Sequence, residues 1–167
     1  ECIRWFEEGL DRSRTWMASH GGDPVPSEVR RRVSSWVRRR RKGEPWAYIL
    51  GWTVFRDRRF KVNPDTLIPR PETELLVEAA LDVGRRLKVD RCVDVGTGSG
   101  IIAASLALET DWQLTATDLS PGALAMAREN ARTLGAPVTF MEGSLLEPVP
   151  NPVGLVVANL PYVDPAD

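Results

Sequence analysis

"RCVDVGTGSGIIAASLALE", residues 91–109, sets a short apolar run, three glycines at alternate positions and an apolar stretch of helical length in direct succession. The run 91–95 predicts a buried strand and 100–109 a helix packed beside it. Gly96, Gly98 and Gly100 lie between them, where missing side chains let backbone amides approach a ligand at the helix N-terminus. Downstream the alternation continues. "QLTATD" (113–118) predicts a second strand, and "SPGALAMARENARTLG" (120–135) a helix. That helix opens with Ser120 at the N-cap and Pro121 at the first helical position, closes on Gly135, and carries Leu124, Ala127, Ala131 and Leu134 on one face. "PVTFM" (137–141) and "VGLVVA" (153–158) add two strands. Such alternation implies right-handed crossovers and a parallel sheet covered by helices on both sides: an α/β, Rossmann-like fold.

Upstream the pattern changes twice. Residues 1–43 are helical in pattern and rich in arginine, interrupted at "HGGDPVPSE", where Gly21, Gly22, Pro24 and Pro26 break any helix and Ser27 reads as the next N-cap. Val29, Val33, Trp36 and Val37 then recur at helical spacing, while Arg30, Arg31, Arg32, Arg38, Arg39, Arg40, Arg41 and Lys42 crowd the remainder. Two readings of these cations stand open: a solvated helix face, or a dock for an acidic protein or RNA. "WAYILGWTVFRDRRFKV" (46–62) mixes aromatic and β-branched residues around charges and predicts a short hairpin. The expected division is a helical domain at 1–43, a hairpin linker at 44–66 and the α/β domain at 67–167.

Bulk properties exclude several classes. With 167 residues, 43% hydrophobic, 27% charged and a net charge of -1, the chain has the composition of a globular protein and no overall field toward nucleic acid or membrane. Its longest apolar runs fall far short of the ~20 residues that span a bilayer. Cys2 and Cys92 form no disulfide framework and have no metal-ligand spacing, which fits a reducing cytoplasm. The lone His20, in a glycine-rich turn, is expected at the surface, and no metal site is expected. The chain starts at Glu1 and runs only nine residues past "VGLVVA". It is therefore expected to be part of a longer protein, with the apolar edge of its last strand uncovered, and inactive alone.

The first crossover discriminates between cofactors. A dinucleotide fingerprint beginning at Gly96 requires glycine at position 101, where this chain has Ile101. Asp94 followed by G-x-G-x-G instead resembles the first motif of S-adenosylmethionine-dependent methyltransferases, whose loop faces the methionine part of the cofactor. "TATDLS" places Asp118 at the carboxyl edge of the second strand, where such folds carry a ribose-binding acid. A tight turn with Asp94 capping the helix, and no ligand, is the structural alternative. "NLPY" (159–162) follows the last strand and resembles the Asn-Pro-Pro-Tyr motif of enzymes that methylate planar nitrogens. An amide nitrogen is a poor nucleophile because its lone pair is delocalised. The Asn159 side-chain oxygen can accept one of its N–H groups and the Leu160 carbonyl the other, Pro161 stiffens the turn, and Tyr162 walls the substrate plane. On these four residues alone, a strand-ending turn fits equally well.

"TLIPRPETELLVE" (66–78) reads locally as an extended segment entering a helix, with Glu72 and Glu74 in the first turn. Taken with "GEPWAYILGWTVFRDRRFKVNPD", "DVGTGSG" and "NLPY", the string resembles the HemK family, methyltransferases that modify a glutamine side chain in peptide-chain release factors. The resemblance implies a helical N-terminal domain that helps hold the release factor, a linking hairpin, and a methyltransferase domain that receives the glutamine of a Gly-Gly-Gln loop. It implies S-adenosyl-L-methionine as cofactor, held by Asp94, Gly96, Thr97, Gly98, Ser99, Gly100, Asp118, Leu119, Ser144, Leu145 and Asn159. It implies Asn159, Pro161 and Tyr162 as catalytic residues that, with Leu160, also bind the substrate. Arg70 and Glu74 either support that pocket or form an interdomain ion pair. The family pattern has proline at Leu160 and commonly an acid at Ser144, near the adenine. The partner expected is a release factor, with neither membrane nor nucleic acid as substrate. A nucleic-acid adenine methyltransferase would share the Asn159–Tyr162 loop but would carry a target-binding region, and a non-catalytic cofactor- or partner-binding fragment is the remaining alternative.

Overall fold

The structure, a computed structural model, describes residues 2–150 and 152–160 and divides into two compact units, Glu1–Leu50 and Gly51–Asp167. The first unit contains helices α1 (Cys2–Leu10), α2 (Arg14–Ser19), α3 (Ser27–Arg41) and α4 (Trp46–Leu50). Ser13 caps α2 by accepting from the Trp16 amide at 3.2 Å. At α3 the cap is Pro26, with φ of -52°, and Ser27 is already helical, so the helix starts one residue earlier than the sequence suggests. Val33 is buried, packed with Val29 around Gly9 of α1. His20 lies exposed at the end of α2, stacked on Trp16 at 4.1 Å.

Residues 46–50 are helical rather than strand, which corrects the start of the expected hairpin. Pro45 starts the turn, accepting from the amides of Tyr48 and Ile49, and the last carbonyls of α4 receive a long-range partner. Arg39 of α3 donates to the carbonyls of Tyr48 (3.2 Å) and Ile49 (3.3 Å), and its Nε donates to Glu44 at 2.7 Å. Arg39 is thus an internal strut of this unit, while Arg32 pairs with Glu28 one turn away.

In the second unit β1 (Trp52–Phe55) and β2 (Arg58–Lys61) form an antiparallel hairpin. Its two-residue turn, Arg56 and Asp57, has φ of 46° and 59°, the mirror-type turn whose twist matches the strands. Phe55 and Phe60 meet edge to face at 6.2 Å and enter the same core as Leu106. The turn is held electrostatically. Arg56 forms a two-pronged pair with Glu109 (2.9 and 2.7 Å), Arg58 reaches the same carboxylate at 2.9 Å, and the Arg56 amide donates to Glu74 at 3.2 Å.

Helix α5 (Pro71–Leu87) leads into β3 (Arg91–Val95), α6 (Ile101–Glu109), β4 (Gln113–Asp118), α7 (Pro121–Leu134), β5 (Val138–Glu142) and β6 (Leu155–Ala158). The four strands β3 to β6 are parallel, in the order β5-β4-β3-β6. Residues Ile101–Ala107 of α6 are all buried, as expected of a helix apolar on every side. α7 begins and ends as its sequence signals, with Ser120 accepting from the Ala123 amide and Gly135 in the left-handed region. β6 departs from expectation. An apolar run predicts cover on both faces, yet Val157 is buried while Val156 is 46% exposed; among the described residues β6 pairs only with β3.

Candidate functional site

From β3 the sheet grows in one direction through β4 and β5, then returns to add β6 on the other side of β3. The loops leaving β3 and β6 therefore diverge, and a crevice opens at the carboxyl ends of the strands, where open α/β sheets bind ligands. A cavity of about 820 Å³ lies there. Its walls include Gly96, Gly98, Asp118, Leu119, Ser144, Leu145, Asn159 and Leu160, all from the set read in the sequence. Asp94, Thr97, Ser99 and Gly100 stand behind this surface and shape it, whereas Pro161 and Tyr162 lie outside the described residues.

The loop 96–100 is built by backbone geometry and two carboxylates. Gly96, Gly98 and Gly100 have φ of 67°, 56° and 77°, and a Cβ on Gly100 would stand 2.9 Å from that of Ala127, so glycine is required for both conformation and closeness. Asp118, ending β4, accepts from the Gly98 amide and from the Ser120 amide, each at 2.9 Å. One carboxylate thus ties the loop to the start of α7 and keeps lone pairs directed outward.

Asp94 is fully enclosed. Its Oδ2 accepts from Thr97 Oγ1 at 2.6 Å and from the Ala103 amide, in the first turn of α6, at 3.2 Å, while Oδ1 has no partner among the described residues. Burial raises its pKa from 3.8 to about 7, the bonds from Thr97 and Ala103 oppose the rise, and the nearby Asp118 adds to it. Burial likewise lifts the Cys92 thiol to about 12, so this cysteine is an inert core residue.

On the opposite wall, Asn159 Nδ2 donates to Thr73 Oγ1 at 3.4 Å. Thr73 belongs to the "RPETE" segment opening α5, which together with Asp65, Thr66, Leu67, Arg70 and Glu72 completes the cavity. Glu74 faces away and receives the Arg56 amide. Sequence reasoning missed Thr73, and it missed Asn130 of α7, whose buried amide reaches the Ser99 carbonyl at 2.8 Å. Leu145 also stands out, with a positive φ of 49° and its carbonyl fixed by Thr117 Oγ1 at 2.8 Å.

Comparison with known proteins finds matches in two regions of the chain. Residues 4–51 match the PrmC N-terminal domain and residues 92–167 a methyltransferase domain. A release factor glutamine methyltransferase of Neisseria gonorrhoeae is 45% identical over 159 residues, covering 93% of this chain and 58% of that protein. Proteins of the same name from Bordetella pertussis and Bacillus subtilis are 44% and 38% identical. The chain is similar to release factor glutamine methyltransferases along 93% of its own length. It spans 58–59% of the length of these relatives. Among solved structures, a ribosomal protein L11 methylase from Lactobacillus delbrueckii subsp. bulgaricus is 31% identical, covers 55% of this chain and 47% of that one, and has a TM-score of 0.48. Among the described residues no helix is long and apolar enough to cross a membrane.

Proposed function

We propose that this protein transfers a methyl group from S-adenosyl-L-methionine to the side-chain amide nitrogen of the glutamine in the Gly-Gly-Gln motif of a peptide-chain release factor. The observation that carries this reading is the meeting of the glycine loop, Asp118 and Asn159 around one cavity at the switch point of the sheet.

The residues present fit the cofactor. Asp94 Oδ1 is a buried carboxyl oxygen without a partner among the described residues, suited to the ammonium of the methionine part once the carboxyl is ionised. Gly98 has open space where a Cβ would stand, so its backbone is accessible to a ligand. Asp118 retains acceptor capacity for two ribose hydroxyls, and Leu119 and Leu145, 71% and 55% exposed, offer apolar surface to a base, with Ser144 beside them. The cofactor supplies an electrophilic methyl group on a sulfonium.

The chain's own residues orient the nucleophile. Thr73 Oγ1 accepts a hydrogen bond from Asn159 Nδ2, which leaves Asn159 Oδ1 as the acceptor. That oxygen accepts one N–H of the substrate amide and the Leu160 carbonyl the other, holding the nitrogen in a fixed direction. The helical unit at the N-terminus holds the release factor, and a substrate of the translation machinery puts the reaction in the cytoplasm.

The test is transfer of labelled methyl from S-adenosylmethionine to separate release-factor, DNA and RNA substrates. Label confined to a peptide containing Gly-Gly-Gln is expected, and label in a nucleic acid instead would overturn the assignment. Asn159→Ala should cut turnover by two or more orders of magnitude, on the order of the loss of one oriented acceptor in the transition state, with cofactor affinity retained.

A further inference from the structure

Asn130 is the most completely satisfied buried side chain near the site, and nothing in the proposed chemistry uses it. It lies on α7 with 2% of its surface exposed. Its Oδ1 accepts from the Lys61 amide at 2.8 Å, and its Nδ2 donates to the Lys61 carbonyl at 2.9 Å and to the Ser99 carbonyl at 2.8 Å. Toward β2 the amide presents an acceptor and a donor, as a neighbouring strand would. Its remaining proton goes to the glycine loop, so every N–H of the group is used and the amide has one workable orientation.

The Ser99–Gly100 peptide is then held at both ends. Its carbonyl receives Asn130, and its N–H donates to the Thr97 carbonyl at 2.9 Å. Gly100 packs against Ala127, one turn before Asn130 on the same helix. On the other side, Lys61 leads within a few residues to Asp65, Thr66 and Leu67, which form part of the facing wall of the cavity. Its side chain adds a 2.5 Å pair with Glu129.

Resting on the cofactor reading above, we propose that Asn130 is a positioning residue: it clamps the Ser99–Gly100 peptide to β2, and so sets the aim of the Gly96–Gly98 backbone and couples it to the wall formed by residues 65–67. Cofactor affinity is therefore tuned from outside the contact surface.

The test compares Asn130→Ala and Asn130→Asp in the full-length protein with Leu114→Ala, a core change at the opposite end of β4. Cofactor affinity by calorimetry, melting temperature and amide hydrogen exchange are measured for each. Asn130→Asp keeps the size and the acceptor for Lys61 but lacks both donors. It should bind S-adenosylmethionine about tenfold more weakly, the scale of one misaligned hydrogen bond. KM for the cofactor should rise while kcat changes little. Exchange should quicken in residues 96–100 and 61–67 together, and affinity relative to the parent at the same pH should partly recover in acid, where a protonated Asp regains one donor.

Affinity losses no larger than those of Leu114→Ala at matched loss of melting temperature would overturn the proposal, as would quickening confined to one segment. If Asn130→Ala does not fold, the Asp variant and its pH profile decide. If the unsubstituted protein binds no S-adenosylmethionine, the cofactor reading falls separately. Exchange in the two segments then decides the clamp: faster in both upholds it, unchanged overturns it.

Discussion

Replacing Asp94 by Asn should stabilise the cofactor-free protein above neutral pH and weaken it by ~1–3 kcal/mol in acid. The carboxyl is enclosed, one oxygen has no partner, and its pKa rises from 3.8 to about 7, chiefly through burial. Between those two values the folded state holds a proton that the unfolded state has released. The contribution to stability is therefore complete below pH 3.8 and is lost as pH climbs through about 7. At 1.36 kcal/mol per pH unit, the whole loss is ~4 kcal/mol. Asn keeps an acceptor for Thr97 and Ala103 but places an NH₂ where Oδ1 has no partner, at a cost of ~1–3 kcal/mol. The net gain at pH 8 is then ~2 kcal/mol. Urea unfolding of both proteins from pH 4 to 8 gives the difference directly, and ionisations elsewhere in the fold cancel in it. Parallel curves for parent and variant, or a parent more stable at pH 8, would refute the reasoning. The same carboxyl should release a proton when S-adenosylmethionine binds near pH 6, which calorimetry in buffers of different ionisation enthalpy reports.

Other changes discriminate among parts of the site. Asp118→Ala removes acceptors for the Gly98 and Ser120 amides as well as the proposed ribose contact, so cofactor affinity should fall by ~1.5–3 kcal/mol; unchanged affinity in calorimetry would remove Asp118 from the site. Gly100→Ala meets the Ala127 backbone at 3.0 Å and should cost ~2–4 kcal/mol in chemical denaturation, whereas Gly98→Ala, with open space around it, should cost only the ~1–2 kcal/mol of a left-handed residue. At the hairpin, Asp57→Gly relieves a positive φ and should raise stability by ~0.5 kcal/mol. Arg56→Gly relieves the same strain but abandons Glu109, and should lower stability by ~1–3 kcal/mol; equal signs for the two changes would show that the ion pair carries no stability.

The α/β part was legible because its signals are local. Gly135 closes α7 and Ser120 opens it within a few residues of the apolar stripe, and the strands at 91–95 and 113–118 coincide with the runs that predict them. The glycine-loop side of the cavity follows from the same locality, since Gly96–Gly100 and Asp118 sit at strand ends that the pattern defines. The misreadings arise where a distant group decides. "WAYIL" has the composition of a strand, but Pro45 begins a turn and Arg39 takes its last carbonyls, so a helix forms.

The side chains that join distant segments were the least legible, because their partners lie far apart along the chain. Asn159 and Thr73 are 86 positions apart, Arg56 and Glu109 are 53 apart, and Asn130 bonds residues 31 and 69 positions away. No period in the sequence connects such pairs. One of them nevertheless left a trace. The buried stripe of α7 runs through Leu124, Ala127 and Ala131, and Asn130 falls inside it as a buried polar residue. A polar side chain at a position that packing reserves for apolar groups is tolerated only if its hydrogen bonds are met, so its presence there implies buried backbone partners close by. The helix alone could not say which partners. Its register against the glycine loop, fixed by the contact of Gly100 with Ala127, narrows the choice to the peptide that follows Ser99, and that is the carbonyl Asn130 binds.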